Sequence, residues 1–334
     1  MKALRYENRE LKIADVAKPI GDGEAVVRVT LSGICNTDLE IARGYAGFQG
    51  TIGHEFVGVI ESLSEARASA RAPNPSEPSL TVGLAPGQRV VGEINAGCGV
   101  CDLCRSGDPR HCPQRTVLGI VGRDGAHAEF LKLPMVNLLP VPREIPDEHA
   151  VFAEPLAAAC GILERAVVSE DTNLAVIGDG KLGLLCAQVL ATTGAAVTLI
   201  GKHQNKLQIA ARRSLETITV EQASSRTRQF DLVVEASGSS SGFQLALDVL
   251  RPRGVLVLKS TLHGPTEMNA ARIVVDEISV VGSRCGRFAP ALELLSGNMI
   301  DVESLISEEF ALADGVRAME RAAESNVLKV LLRP

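Results

Sequence analysis

The chain has 334 residues, a formal net charge of −6, 46% apolar and 3% aromatic residues, and no tryptophan. That length exceeds what one core usually serves and predicts two domains. The acidic balance and the scarcity of rings exclude a basic, base-stacking nucleic-acid surface and a basic membrane-binding face, and no apolar run approaches the ~18 residues that span a bilayer.

Met1–Asn8 carries charges throughout and lacks an apolar signal core, which predicts a cytoplasmic protein. Glu24–Leu31 alternates as a half-buried strand and Glu55–Glu61 reads as another, within a region of short strands and few helices. Between these strands lie Cys35-Asn36-Thr37-Asp38 and Gly53-His54-Glu55. Residues 62–86 are rich in Pro, Ser and Ala and predict a long mobile surface loop. Gln88–Gly92 returns to strand. It leads into Cys98, Cys101, Cys104 and Cys112, spaced C-x2-C-x2-C-x7-C. Each short gap lets one backbone turn bring two sulfurs to one metal, and four thiolates close a tetrahedral zinc site with no open position. Gly97, Gly99 and Gly107 supply the unusual backbone angles of such a loop. Of the eight cysteines, Cys35, Cys160, Cys186 and Cys285 are scattered, as in a protein whose thiols stay reduced. The last three of these read as small core residues. Ala126–Leu133 and Leu138–Val141 complete the strand-rich part.

From about residue 148 strands alternate with helices, which implies a parallel sheet covered on both faces. Glu148–Arg165 has a helical period, with Pro155 as a local interruption. The strand Asn173–Ile177 runs into Gly178-x-Gly180-Lys181-Leu182-Gly183 and a helix, the context a dinucleotide fingerprint requires. The first Gly permits the turn, the second lets backbone approach a pyrophosphate, and the third lets helix and strand pack closely. An NAD site usually carries an acid about 20 residues further on, to grip the ribose 2′-hydroxyl. Here that window reads Gly201-Lys202-His203-Gln204-Asn205-Lys206 and contains no acid. Lys202, with His203 or Lys206, would meet a 2′-phosphate, so NADP(H) is favoured over NAD(H). Further strands are expected at Ala196–Ile200, Asp231–Glu235, Gly254–Leu258 and Ile278–Gly282, and at Val327–Leu332 near the C-terminus.

A lone Cys or His is more often core than ligand. Cys35, His54 and a carboxylate from Glu55 or Glu154 would nevertheless leave a fourth metal position open, as a catalytic zinc requires. Glu154 stands in an apolar helical stretch and needs a partner there.

Cys35-x-Thr37-Asp38, Gly53-His54-Glu55, the four-cysteine knuckle, Glu154-Pro155 and the glycine fingerprint occur in the order found in zinc-dependent medium-chain alcohol dehydrogenases. The chain resembles that family over nearly its whole length, closest to its polyol, glucose and threonine dehydrogenase side. The resemblance implies an α/β architecture. A GroES-like, β-rich catalytic domain (1–150, with the structural zinc loop 98–112) precedes a doubly wound Rossmann domain (151–286), and a C-terminal segment (287–334) completes the former. It implies two zinc ions per chain. Cys35 and His54 would be catalytic zinc ligands, with Glu55 and Glu154 both candidates for a third. Thr37 would hold the alcohol oxygen and pass on its proton, and Asp38 would orient His54. Beyond Thr37 the family often carries a His where this chain has Glu40, so either that carboxylate or water takes the proton. Ser237, in Glu235-Ala-Ser-Gly238, would lie beside the cofactor ribose, and Lys329 would reach the pyrophosphate. Phe48 and Ile94 would line a substrate pocket. His111, His127, His149 and His263 show no partner in sequence and are expected to take no part in catalysis. A homodimer or homotetramer is expected through the strand near Asp276–Gly282. The substrate would be a small alcohol, polyol or sugar. The rivals are a zinc-free enoyl or quinone reductase of the same superfamily and an NADP-binding sensor that keeps only the knuckle zinc.

Overall fold

In a computed structural model that describes residues 1–64, 83–261 and 268–334, the alternation of Glu24–Leu31 becomes the strand Ala25–Gly33. Residues 65–82 of the expected loop, and His263, lie outside the described residues. The chain forms two compact units, Met1–Glu154 with Leu305–Pro334, and Pro155–Ser304.

Ala25–Gly33 is the hub of the first unit. It runs antiparallel to Glu55–Leu63 along most of its length, takes Phe130–Leu133 beside its first half, and takes Lys329–Arg333 beside Ser32 and Gly33. Arg89–Gly92 and Leu138–Pro140 extend the sheet on one side, and Ile306–Ala311 on the other. Lys2–Glu7 pairs with Glu10–Asp15 as a separate hairpin. Leu4, Ile34, Ile41, Met319 and Leu332 form one buried apolar cluster, and Val27, Phe56, Ile60, Leu118 and Leu133 another. Phe48 belongs to the first cluster and Ile94 to the second, so both serve as core.

The second unit carries a six-stranded parallel sheet. Its order is Glu216–Thr219, Ala196–Gly201, Asn173–Ile177, Phe230–Glu235, Leu250–Leu258, Ser279–Gly282. The sheet is doubly wound and reverses between its third and fourth members, where ligands of such sheets bind at the carboxyl ends. The three central strands, Ala196–Gly201, Asn173–Ile177 and Phe230–Glu235, are buried almost throughout, which is why they read as continuous apolar runs. Expected element ends lie within a few residues of those observed.

Two differences have physical causes. Glu148–Arg165 is not one helix but two short ones, Asp147–Ala150 and Ala153–Cys160. Pro155 does not break the second. It sits in the first turn, where its missing N–H has no intrahelical partner to lose. The C-terminal segment rejoins the first unit at residue 305, not 287. The helix Phe288–Ser296 and the following loop stay with the nucleotide unit, because Gln188 exchanges two hydrogen bonds with the Asp301 backbone and Arg213 donates to Met299 O. Among the described residues no helix is long and apolar enough to cross a membrane.

Candidate functional site

Cys35 closes the hub strand and is the N-cap of the helix Asn36–Ala42. Asp38 accepts the Cys35 N–H at 2.8 Å through Oδ2 and the Gly53 N–H at 3.2 Å through Oδ1. One carboxylate thus caps the helix and ties the Cys35 turn to the His54 turn. His54 Nδ1 lies 3.2 Å from Asp38 Oδ1, at ion-pair distance but outside hydrogen-bond geometry. This leaves Nε2 as the ring nitrogen for a ligand. Gly53 has φ +97°, and a Cβ there would lie 2.5 Å from the His127 ring, so only glycine allows this packing.

His127, set aside on sequence, is fully buried beside this turn. Its Nε2 lies 3.5 Å from Asp38 Oδ2, and its Nδ1 lies 2.9 Å from Ser32 Oγ. Two imidazoles therefore flank one carboxylate. Burial alone would raise the Asp38 pKa, but the His54 charge and the His127 contact outweigh it and hold the group well below the usual range. For His54, burial opposes the charged form, while Asp38 and then Cys35 favour it and carry its pKa well above the ordinary value. A strong electrostatic demand for positive charge sits at this ring.

Donor atoms of Cys35, His54 and Glu55 all lie within 4.8 Å of one another. Glu55 is 1% exposed, and its Oε2 pairs with the Lys329 ammonium. Its Oε1 is buried without a hydrogen-bond partner. An orphaned carboxylate oxygen beside a thiol and an imidazole suits a cation. Glu154 stands outside that set of three. Burial first, then the Glu55 and Glu93 charges, push its pKa to about 7, against the opposing charges of His54 and Lys329. Thr37 Oγ1 is 3.9 Å from Cys35 Sγ. Lys329 is 0% exposed in the first unit, where its ammonium pairs with Glu55 and donates to Ile34 O at 3.4 Å.

The four knuckle sulfurs also converge. Cys98 Sγ and Cys104 Sγ are 4.0 Å apart, and Cys101 Sγ and Cys112 Sγ 3.7 Å. Zinc–sulfur bonds of ~2.3 Å give a tetrahedron with edges of ~3.8 Å, whereas a disulfide is ~2.05 Å long. The thiols are spaced for a shared ion. The Val100 N–H and then the Cys101 N–H lower the Cys98 thiol to about 6, which favours thiolate. A Cβ on Gly97 would press to 2.8 Å from Cys104 Sγ.

In the second unit the glycine fingerprint turns from Asn173–Ile177 into the helix Lys181–Ala191, which Lys181 and Leu182 open. Gly178 has φ +119°, and a Cβ on it would meet Ala236 O at 2.6 Å; one on Gly183 would meet Gly178 O at 1.9 Å. A Cβ on Gly180 would face open space, the room a pyrophosphate needs. Ser237 donates its N–H and its hydroxyl to Glu235 Oε1, at 2.8 and 2.6 Å. Lys202 and His203 are exposed, whereas Lys206 is buried on the helix Gln204–Ala211, which takes it out of the expected phosphate-facing set. Burial raises Cys160 to about 12 and Cys186 to about 11, as inert core thiols should be.

Known proteins match this arrangement. Residues 21–143 match the alcohol dehydrogenase GroES-like domain, and residues 182–297 match the zinc-binding dehydrogenase domain. An L-threonine 3-dehydrogenase of Coxiella burnetii is 30% identical over 96% of this chain and 94% of its own. A sorbitol dehydrogenase of Halalkalibacterium halodurans is 28% identical over 94% and 92%. The solved alcohol dehydrogenase of Thermus sp. ATN1 superposes with a TM-score of 0.87 at 29% identity, covering 100% of this chain and 99% of that one.

Proposed function

Because the chain belongs to the zinc-dependent medium-chain alcohol dehydrogenase family and is an oxidoreductase of the alcohol dehydrogenase type, we propose that it interconverts a small alcohol, polyol or sugar with its carbonyl, with NADP(H) preferred over NAD(H). The carrying observation is the convergence of Cys35, His54 and Glu55 within 4.8 Å, with Glu55 Oε1 left buried and unsatisfied. These three would hold a catalytic zinc, with Glu154 as a further carboxylate nearby, and Cys98, Cys101, Cys104 and Cys112 would hold a structural one.

Zinc at the first site would supply the Lewis acidity that lowers the pKa of a substrate alcohol, and the nicotinamide would supply the hydride chemistry. The protein's own residues set up the rest. Asp38, 3.2 Å from His54 Nδ1, would favour a proton on that nitrogen and so leave Nε2 to the metal. Thr37, beside Cys35, would hydrogen-bond the alcohol oxygen and relay its proton. Beyond Thr37 the Glu40 carboxylate, which pairs with Arg43 at 2.7 Å, or water would take the proton onward. Gly178, Gly180 and Gly183 receive the pyrophosphate, and Ser237 the cofactor ribose. The exposed side chains Lys202 and His203, after a Gly201 that carries no acid, favour a 2′-phosphate.

Metal analysis of the purified protein tests this reading. Two zinc ions per chain are expected. One ion would support a sensor that keeps only the knuckle, and none would support the zinc-free reductase.

We further propose a homodimer or homotetramer. Ser279–Gly282 is an edge strand of the parallel sheet; its Val280 is 41% exposed, and Val274 and Val275, at the end of the preceding helix Ala270–Val275, are 75% and 79% exposed. Apolar side chains along an unpaired edge suit pairing with a second copy. Sedimentation that finds only monomer at micromolar concentration would remove the proposal.

A further inference from the structure

Asp179, the variable residue between Gly178 and Gly180, has no part in the fingerprint logic of the glycines. Yet it is 7% exposed and its carboxylate is fully engaged. Oδ2 accepts the Lys202 N–H at 2.7 Å and the His203 N–H at 2.6 Å, and His203 Nδ1 lies 3.1 Å from each carboxylate oxygen. Burial opposes its ionisation, but the His203 backbone and ring, with the Lys202 N–H, outweigh burial and keep the carboxylate below its usual pKa.

This reach is possible because the second strand ends in glycine. A Cβ on Gly201 would sit 2.6 Å from Asp179 Cβ and Oδ2, so any side chain at that strand end would evict the aspartate. The usual acid of the second strand is absent, and an acid from the phosphate-binding turn fills the vacated space. Its oxygens are met by donors of this chain, the two main-chain N–H groups on Oδ2 and His203 Nδ1 at 3.1 Å from each. It crosses from one cofactor-facing turn to the other and fixes the backbone from which Lys202 and His203 project. With Nδ1 held by Asp179, His203 keeps Nε2 for a ligand.

We propose that Asp179 is a positioning residue for 2′-phosphate recognition, locking the Lys202–His203 turn so that both side chains meet the adenosine 2′-phosphate of NADP(H). The proposal rests on the NADP(H) reading above and deepens it. The carboxylate's acceptors are turned onto three donors of this chain, and the two exposed basic side chains carry the recognition of the phosphate.

The test uses the zinc-loaded protein and calorimetric titration with NADP⁺, NAD⁺ and adenosine 2′,5′-bisphosphate, alongside kinetics. The wild type is expected to bind NADP⁺ more tightly than NAD⁺. Asp179→Ala should weaken NADP⁺ and the bisphosphate by roughly tenfold, the scale of one charge-assisted hydrogen bond, and leave NAD⁺ within about threefold. Adding Lys202→Ala to Asp179→Ala should cost less than Lys202→Ala costs the wild type, because the lysine has already lost its placement. Asp179→Asn, which keeps the size and one acceptor, serves if the alanine variant folds poorly, and should show a smaller loss of the same selectivity. Equal losses for NADP⁺ and NAD⁺ would reduce Asp179 to a general anchor of the turn and overturn the proposal alone. Tighter NADP⁺ binding in the variant would mean that the carboxylate repels the phosphate, and would overturn it too. A wild type that binds and uses NAD⁺ as well as or better than NADP⁺ would sink the cofactor reading itself, and the proposal with it.

Discussion

Cys35→Ala is expected to lower kcat/KM by roughly a thousandfold or more, the several kcal/mol that a Lewis acid contributes to such a reaction, and to lower bound zinc by one ion per chain. The loss follows from geometry. Cys35 is the only sulfur among the three donors that converge within 4.8 Å, and its removal leaves an imidazole and a carboxylate already paired with Lys329. Two such ligands hold zinc far less tightly than three. The helix cap should survive, since the Asp38 carboxylate accepts the Cys35 main-chain N–H and not its side chain. Affinity for NADP(H) should be unchanged, because the fingerprint and Asp179 belong to the other unit. Turnover of alcohols by the zinc-depleted variant at the wild-type rate would end the proposed mechanism. An unchanged zinc count would move the metal to another set of ligands.

Lys329→Met is expected to destabilise the protein by about 3–5 kcal/mol, the cost of leaving one member of a buried ion pair uncompensated. Both side chains of the Lys329–Glu55 pair are 1% exposed, so solvent screening does not discount the effect. The methionine replaces the packing of the lysine stem but not its charge. Glu55 is left buried beside Cys35 and His54 without its counter-charge. Adding Glu55→Gln should recover part of the loss, since a neutral amide is cheaper to bury than an isolated carboxylate. Urea unfolding of the single and double variants measures this directly. A single variant within roughly 1 kcal/mol of the wild type would show that the pair contributes little.

Legibility in the sequence followed locality. Asn173–Ile177 was read to the residue, because a buried parallel strand and the Gly-rich turn after it announce themselves within a dozen positions. The knuckle is equally plain, its four thiols lying within fifteen residues. Contacts made across the chain were not. Nothing around His127 points to Asp38, 89 positions earlier, or to Ser32, whose hydroxyl meets its ring across a separation of 95. A histidine between two alanines carries no local mark of a polar network. Family position gives Lys329 a pyrophosphate contact, and only folding reveals its pairing with Glu55. Lys206 was misplaced for a different reason: its helix turns it inward, and one short polar window did not carry enough periodicity to say so. Asp179 was visible as a letter in the fingerprint, but its meaning depended on Gly201 having no side chain.

The placement of Lys329–Arg333 beside the hub strand also governs the order in which the molecule can be completed. Glu55 and Lys329 are 274 positions apart. A growing chain therefore makes Pro155–Ser304, an entire self-contained unit, before the lysine exists. Domains generally fold as units during synthesis, so the second unit, Pro155–Ser304, can reach its native state while the first still lacks a central strand and the counter-charge of a buried glutamate. In such an arrangement the second unit matures first, and the two turns that carry Cys35 and His54 are the last part of the protein to become electrostatically whole.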